Sequence, residues 1–517
     1  MVSGNRRMSR REFVRKTLMG AAAVSGAGVL AGCKAAKAPG VPDKWDKEVD
    51  VVVVGLGGAG ALAALTAHDA GAKVLVLEKL PGPGGSTALS GGYFTGVNSS
   101  VQKAKGISDS VENAVAYHLA CAQGQVDEKI VRAWAENSGE TIDYIVSQGV
   151  EIDAIIPDFQ PEFPGAGTRS HHAKGLGKGL FEPLYNAIQS KGIEVLTETK
   201  GKALITDING AVIGIKAEGS SGELNIKARR AMILTTGGFL YNRVMVRDFL
   251  RNEYIISVGC PGCEGDGIRM GMAVGANLKI MNEVAGTPAI KVPNQVIAVP
   301  SMLALGGLPF VMVNKKGQRF VCEELPYDRA IIPFDVYDPV AMEYANIPAF
   351  AIFDDDVFHL GPIGYSSTPG TVWSADNMRE LEAGVIVKAD TIRELAQKIG
   401  VDPDGLEATV NAWNADVAQG KDSQFGRKKG LAPIAKAPFY AVNHNPGGWD
   451  TVGGLEINEK GQVVNVFGQV IPRLYAAGTT AASIIGRLYP ISGTCIGSGV
   501  TFGRIAGRNA AAEKPWS

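Results

Sequence analysis

The stretch Glu48–Lys79, EVDVVVVGLGGAGALAALTAHDAGAKVLVLEK, decides the fold. Val51–Val54 is an unbroken β-branched run, the pattern of a strand buried on both faces of a parallel sheet. Gly55, Gly57 and Gly60 follow it as G-x-G-x-x-G, and the Ala- and Leu-rich residues from Ala59 onward predict a helix. A second apolar strand then ends at Glu78. Each part has a mechanical reason. The glycines permit a tight turn and the close approach of a pyrophosphate, whose charge meets the amino terminus of the helix. Glu78 stands where ribose hydroxyls need an acceptor. The stretch therefore predicts a dinucleotide-binding strand–helix–strand unit, against the plainer reading of a glycine turn in some other α/β fold.

Around it, 517 residues leave room for more than one domain. With 45% hydrophobic and 20% charged residues the balance is that of a globular enzyme, and 66 glycines allow many close backbone approaches. Lys and Arg number 51 against 52 Asp and Glu, which leaves no electrostatic footprint for nucleic acid. Residues 1–33 read separately. SRREFVRK, Ser9–Lys16, sets Arg10 and Arg11 before the apolar run LMGAAAVSGAGVLAGC, too short and too Gly/Ala-rich for a membrane span. A twin-arginine export signal is expected rather than a basic amphipathic terminus, and with it a cofactor bound before export. The run ends in LAGC, Leu30–Cys33, which resembles the box where bacterial lipoproteins are cleaved and acylated. Acylation of Cys33 would place the protein in the periplasm or on the outer face of the cytoplasmic membrane, with residues 34–47 as linker.

The choice among dinucleotides falls to GPGGSTALSGGYF, Gly82–Phe94. It resembles the FAD-binding stretch of the fumarate reductase and succinate dehydrogenase flavoprotein family. The resemblance returns at AMILTTGGF (Ala231–Phe239), EGDGIRMGMAVGA (Glu264–Ala276), VNKKGQRFVCEE (Val313–Glu324), LYAAGTTAAS (Leu474–Ser483) and TFGRIAG (Thr501–Gly507). It implies an α/β protein in which a Rossmann-like, glutathione-reductase-like FAD domain (48–285 and 438–517) receives an α+β capping domain (286–437). It also implies FAD contacts at Gly55, Gly57, Ala59, Gly60, Glu78, Gly85, Ser86, Thr87, Gly91, Gly92, Gly237, Gly478, Thr479, Cys495 and Ile496. Substrate would lie between cap and flavin.

Three groups expected of the dicarboxylate reductases in this family are missing. RFVCEELPYDRA places Tyr327 where the resemblance expects a proton-donating arginine. GWDTVGGLEI places Asp450 at a carboxylate-binding histidine, and Pro490 stands opposite a second arginine. Fumarate is therefore an unlikely substrate, because a buried carboxylate without its cations is expensive. The replacements resemble the 3-ketosteroid dehydrogenase branch, where a turn of tyrosine, proline, two residues and glycine holds a carbonyl oxygen. Here it reads Tyr489–Gly493, in RLYPISGTCIG. The branch implies that the Tyr489 hydroxyl and the Gly493 amide grip the carbonyl, while Tyr327 moves a proton. The chemistry is coherent without the family, since hydride transfer to the carbon β to a carbonyl builds charge on its oxygen, which a phenol and an amide can stabilise.

The expected function is an exported FAD-dependent oxidoreductase that reduces a C=C bond conjugated to a carbonyl, in an enone or unsaturated acid derivative. Electrons would come from a membrane cytochrome or another donor, since no haem motif or second redox domain is visible. Two alternatives stand beside it: steroid dehydrogenation in the oxidative direction, and an electron-transfer or sensory flavoprotein without organic substrate. Cys260 and Cys263 form CPGC, which reads as plain thiols, a disulfide or half of a cluster site, while Glu264 after Cys263 excludes a c-type haem. No metal site is expected. His171 and His172 either border the active-site mouth or lie outside it.

Overall fold

The buried valines of the opening stretch form β1 (Lys47–Val54) at the centre of a sheet, as their all-apolar run requires. β1 leads through the glycine turn into α1 (Gly58–Asp69) and β2 (Val74–Leu77), which pairs parallel with it from Val51↔Val74 to Val54↔Leu77. β3 (Glu194–Leu196) lies beyond β2. On the other side come β4 (Gly222–Leu234) and β9 (Val470–Ala476), giving the order β9-β4-β1-β2-β3 with every pairing parallel. This computed structural model describes residues 40–303, 307–366 and 370–516. The twin-arginine segment and Cys33 lie outside them. Among the described residues no helix is long and apolar enough to cross a membrane.

The linker expected to reach residue 47 ends earlier. The Asp46 N–H donates to Asn225 O at 2.8 Å, and the Trp45 ring covers Gly214 so closely that a Cβ there would stand 2.6 Å from it. Half-buried against the β-sheet, the indole makes Trp45 part of the folded body.

A second sheet is organised by β8 (Phe439–Thr451). It pairs antiparallel with β5 (Val284–Ile290) and with β7 (Ala349–Phe353), and β7 pairs with β6 (Val311–Asn314). One face buries Phe310, Phe334, Phe353 and Tyr440; the other packs Leu395, Leu406 and Trp413 from α3 (Ile392–Ile399) and α4 (Pro403–Val417). The boundary expected at 285/286 falls inside β5, which pairs with β8 on both sides of it, apart from a register shift between Ala285 and Gly286.

The last helix, α5 (Thr494–Ala512), lies against α1 with backbones nearly touching. A Cβ on Gly503 or Gly507 would stand 2.3 Å from Ala59 O or 2.5 Å from Ala63 O. Glycine on one helix and alanine on the other permit this approach, and it brings the amino-terminal turns of both helices to one cavity.

Candidate functional site

That cavity, about 530 Å³, is lined by turns of the parallel sheet and by segments of the second one. At one end the backbone makes the wall. Gly55 has φ +100, and a Cβ on it would stand 2.4 Å from Thr235 O, so the turn admits only glycine. Gly57 is different: nothing lies within 3.7 Å of its Cβ position, and a side chain there would fill the cavity itself. α1 has no cap from its own Ncap, Gly57, and no acidic residue in its first turn; Thr87 Oγ1 accepts the Gly58 N–H at 3.0 Å, and the rest of the turn faces the cavity without a negative charge of its own. Glu78 accepts the N–H groups of Leu56 and Leu80, each at 2.8 Å, and is thereby fixed at the edge of β2. The two cations that line this end, Lys79 and Lys200, are engaged by Asp266 at 2.7 and 3.0 Å. No arginine or histidine lines the cavity among the described residues.

At the other end side chains make the wall. The rings of Tyr327 and Tyr489 stack at 5.5 Å and 14°, and Phe159 lies 5.0 Å beyond Tyr327. Tyr327 stands just before α2 (Asp328–Ile331) with φ +49, a left-handed conformation that a non-glycine residue adopts only under tertiary constraint. Its hydroxyl is 2.8 Å from Ser492 Oγ, and burial pushes its phenol up to about 12. Tyr489 is held at both ends: its N–H donates to Asp328 Oδ2 at 2.9 Å, and its hydroxyl accepts the Cys495 N–H at 3.0 Å. The hydroxyl thus caps α5, whose own Ncap, Gly493, has no side chain to do so. Burial raises the Tyr489 phenol well above its usual value and moves the Asp328 carboxyl up to about 7. Gly493, at φ +84, has the Tyr93 backbone 2.3 Å from its Cβ position. Asp450 accepts from Thr479 Oγ1 at 2.7 Å and from the Thr451 N–H at 2.9 Å, and burial raises it to about 6.

Of the residues singled out in the sequence, Gly55, Gly57, Ala59, Glu78, Gly85, Ser86, Thr87, Gly91, Gly237, Gly478, Thr479, Cys495 and Ile496 line the cavity, together with Tyr327, Tyr489 and Gly493. Gly60 and Gly92 do not. A Cβ on Gly60 would stand 2.0 Å from Gly55 O, and one on Gly92 2.6 Å from Leu176 C, so both glycines serve chain packing. His171 does not border the site: it is buried, with Nε2 2.7 Å from Ser99 Oγ and Nδ1 3.0 Å from Arg169 O. His172 pairs with Asp153 and packs on Tyr93. Cys260 and Cys263 are free thiols, and both line the cavity. Sequence reasoning missed Tyr93, Phe159, Met302, Tyr365 and Trp449 in the wall. Tyr93 and Trp449 lie within quoted motifs, GPGGSTALSGGYF and GWDTVGGLEI, and could have been found; the others sit in stretches without a motif.

The comparisons fit this geometry. Residues 50–496 match the family described as FAD binding domain. The "fumarate reductase (cytochrome)" of Shewanella frigidimarina is 31% identical over 469 residues, covering 90% of this chain and 77% of that protein. The "vinyl phenol reductase" of Lactiplantibacillus plantarum is 31% identical over 495 residues, covering 89% and 96%. Among solved structures, a 3-ketosteroid delta1-dehydrogenase from Sterolibacterium denitrificans, in complex with 1,4-androstadiene-3,17-dione, superposes with a TM-score of 0.81 at 28% identity, covering 90% of this chain and all of that one. The open turn at Gly57, the start of α1 without an acidic residue and the fixed Glu78 suit the pyrophosphate and ribose of FAD.

Proposed function

Because this chain belongs to the FAD-binding-domain family, whose members here are FAD-dependent oxidoreductases acting on C=C or CH–CH groups, we propose that it reduces a C=C bond conjugated to a carbonyl. The observation that carries this reading is the hydrogen bond from the Cys495 N–H to the Tyr489 hydroxyl. An oxygen that accepts an N–H keeps its own proton for another acceptor, and this one lies on the cavity wall. A substrate carbonyl placed there meets a phenol donor at the start of a helix, where the helix dipole favours developing negative charge.

Held by the glycine turn and Glu78, FAD would, once reduced by two electrons, supply the hydride chemistry that the carbon β to that carbonyl requires. Tyr327, stacked on Tyr489, is then one ring away, and its raised pKa keeps it protonated at neutral pH, ready to give a proton to the α carbon. Ser492 fixes the hydroxyl of Tyr327, and Asp328 fixes the backbone of Tyr489. Among the described residues the cavity lining offers no unengaged cation, which argues against a dicarboxylate and for an uncharged acceptor. In this reading the parallel sheet is the Rossmann-like half and residues around the second sheet form the cap. The protein would be exported by the twin-arginine route, with Cys33 as a lipid anchor and a membrane cytochrome or another carrier as electron donor.

The test is anaerobic reoxidation of dithionite-reduced holoenzyme by enones, cinnamates, vinyl phenols and unsaturated steroids. Reoxidation by a conjugated carbonyl, faster than in buffer, supports the proposal; no reoxidation by any of them leaves an electron-transfer or sensory flavoprotein. The same tyrosines and the likeness to the steroid dehydrogenase favour one second reading, oxidation of a 3-keto steroid. Assay of both directions with an artificial acceptor separates the two.

A further inference from the structure

The CPGC turn is left without a task by this chemistry, although both its thiols face the cavity. The Cys263 N–H donates to Cys260 O at 3.0 Å, closing a four-residue turn. Such a turn holds its end Cα atoms within about 7 Å, the range a disulfide can span. The two thiols are not equivalent. Cys260 Sγ accepts the Gly262 N–H at 3.4 Å, next to Pro261, which is exposed. Cys263 Sγ, in a residue as buried as Cys260, lies 3.7 Å from Ser86 Oγ and 4.0 Å from Asp450 Oδ2, and a Cβ on Gly237 would come within 2.7 Å of it. Ser86 and Gly237 are themselves cofactor-wall residues. A hydrogen bond from Cys263 favours the thiolate of Cys260, while the same contact and burial keep Cys263 protonated. This division into a more acidic thiol and a protonated partner is what thiol–disulfide exchange uses.

We propose that Cys260 and Cys263 are a redox-active dithiol–disulfide couple through which an external dithiol reductant feeds electrons to the flavin cavity. The exchange balances. In the loading step the thiolate of the external dithiol attacks the Cys260–Cys263 bond, its own two sulfurs end as a disulfide, and Cys260 and Cys263 become thiols. In the discharge step the Cys260–Cys263 bond re-forms, and two electrons and two protons pass to oxidised FAD. Both couples move electrons in pairs, as the reduction of a C=C bond requires. The inference rests on FAD filling the cavity and not on the identity of the organic substrate.

Its test uses no organic substrate. Full-length holoenzyme is treated with diamide, freed of reagent, and titrated anaerobically with dithionite while flavin absorbance is followed. Wild type should take up two electron pairs per flavin and Cys260→Ser only one. Alkylation and peptide mass analysis should show the lost thiols at Cys260 and Cys263. Dithiothreitol should reduce the flavin of wild type roughly tenfold faster than that of Cys260→Ser or Cys263→Ser. If a variant fails to hold FAD, wild type without diamide treatment is the one-pair reference. A single electron pair in diamide-treated wild type overturns the proposal. So does equal flavin reduction by dithiothreitol in wild type and a serine variant.

Discussion

The two ends of the cavity are built on different principles. At the Glu78 end the chain's own backbone is the binding surface, and the glycines of one continuous stretch shape it. At the Tyr489 end four separate segments, bringing Phe159, Tyr327, Tyr365 and Tyr489, each contribute one aromatic ring. The first end depends on φ angles that local sequence dictates. The second depends on where β8, α2 and α5 come to rest, which the whole fold dictates. A substitution should therefore act on cofactor retention at one end and on rate at the other.

The largest effect is expected at the backbone end. Gly55→Ala places a Cβ 2.4 Å from Thr235 O at a φ of +100, and the protein should be recovered without FAD or not folded. The left-handed conformation alone is unfavourable by about 1–2 kcal/mol for a residue with a Cβ, before the clash is counted. Gly57→Ala is the sharper probe. Its Cβ meets nothing within 3.7 Å, so the apoprotein should melt as wild type does while flavin content, read from absorbance, falls. Equal loss of apoprotein stability in both variants would break the distinction between a turn glycine and a ligand-facing one.

Next comes Tyr489→Phe. The ring still stacks on Tyr327, so FAD content should hold, but the hydroxyl that accepts the Cys495 N–H disappears. Loss of one oxyanion donor slows turnover roughly 100- to 1,000-fold. The uncapped helix also loses about 1 kcal/mol of stability. A variant that melts earlier yet turns over normally would make Tyr489 a cap and nothing more, and would move the chemistry away from this end.

This contrast also explains what was legible in the sequence. The strand–turn–helix of Glu48–Lys79 could be read because its periodicity and glycine spacing act over a few residues. Tyr327 and Tyr489 were found through a resemblance of turns, not through any local signal that they would stack. Phe159, Met302 and Tyr365 were hidden, since nothing in their own neighbourhoods distinguishes a wall residue from a core one. Gly60 and Gly92 show the converse. A glycine motif marks close approach but not what approaches, and here Gly55 O and the Leu176 backbone do so rather than the ligand.

Tyr327→Phe should slow turnover through proton transfer, with a larger solvent isotope effect than Tyr489→Phe shows. The direction of reaction sharpens this point. A phenol near 12 is protonated throughout the neutral range, so reduction should not lose rate through this group between pH 6 and 9. Dehydrogenation needs the phenolate, and its rate should climb about tenfold per pH unit over the same interval. A rate of oxidation that is flat with pH would remove Tyr327 from the proton step.

The smallest effect on rate belongs to Asp328, which does not line the cavity but ties the two tyrosine segments together through the Tyr489 N–H. Asp328→Asn keeps an oxygen acceptor there, so turnover should change only severalfold. Its signature lies in stability. The folded carboxyl titrates near 7, mainly because it is buried, against about 3.9 when unfolded. Between those values the native state holds a proton that the unfolded chain has released. Stability therefore falls as pH rises through this window, by at most about 1.4 kcal/mol per pH unit for one proton. Asp450 and Asp158, each raised to about 6 with burial the main cause, tilt the curve the same way over the lower part of the window. Replacing Asp328 with asparagine should remove the largest share of the slope between pH 6 and 7, where the other two have largely titrated. Thermal melts of holoenzyme at pH 5, 6 and 7 measure it. An unchanged slope would mean that the carboxyl is ionised in the folded protein, stabilised by the Tyr489 N–H more strongly than burial opposes it, and the tyrosine end would then be held by a charge rather than by packing.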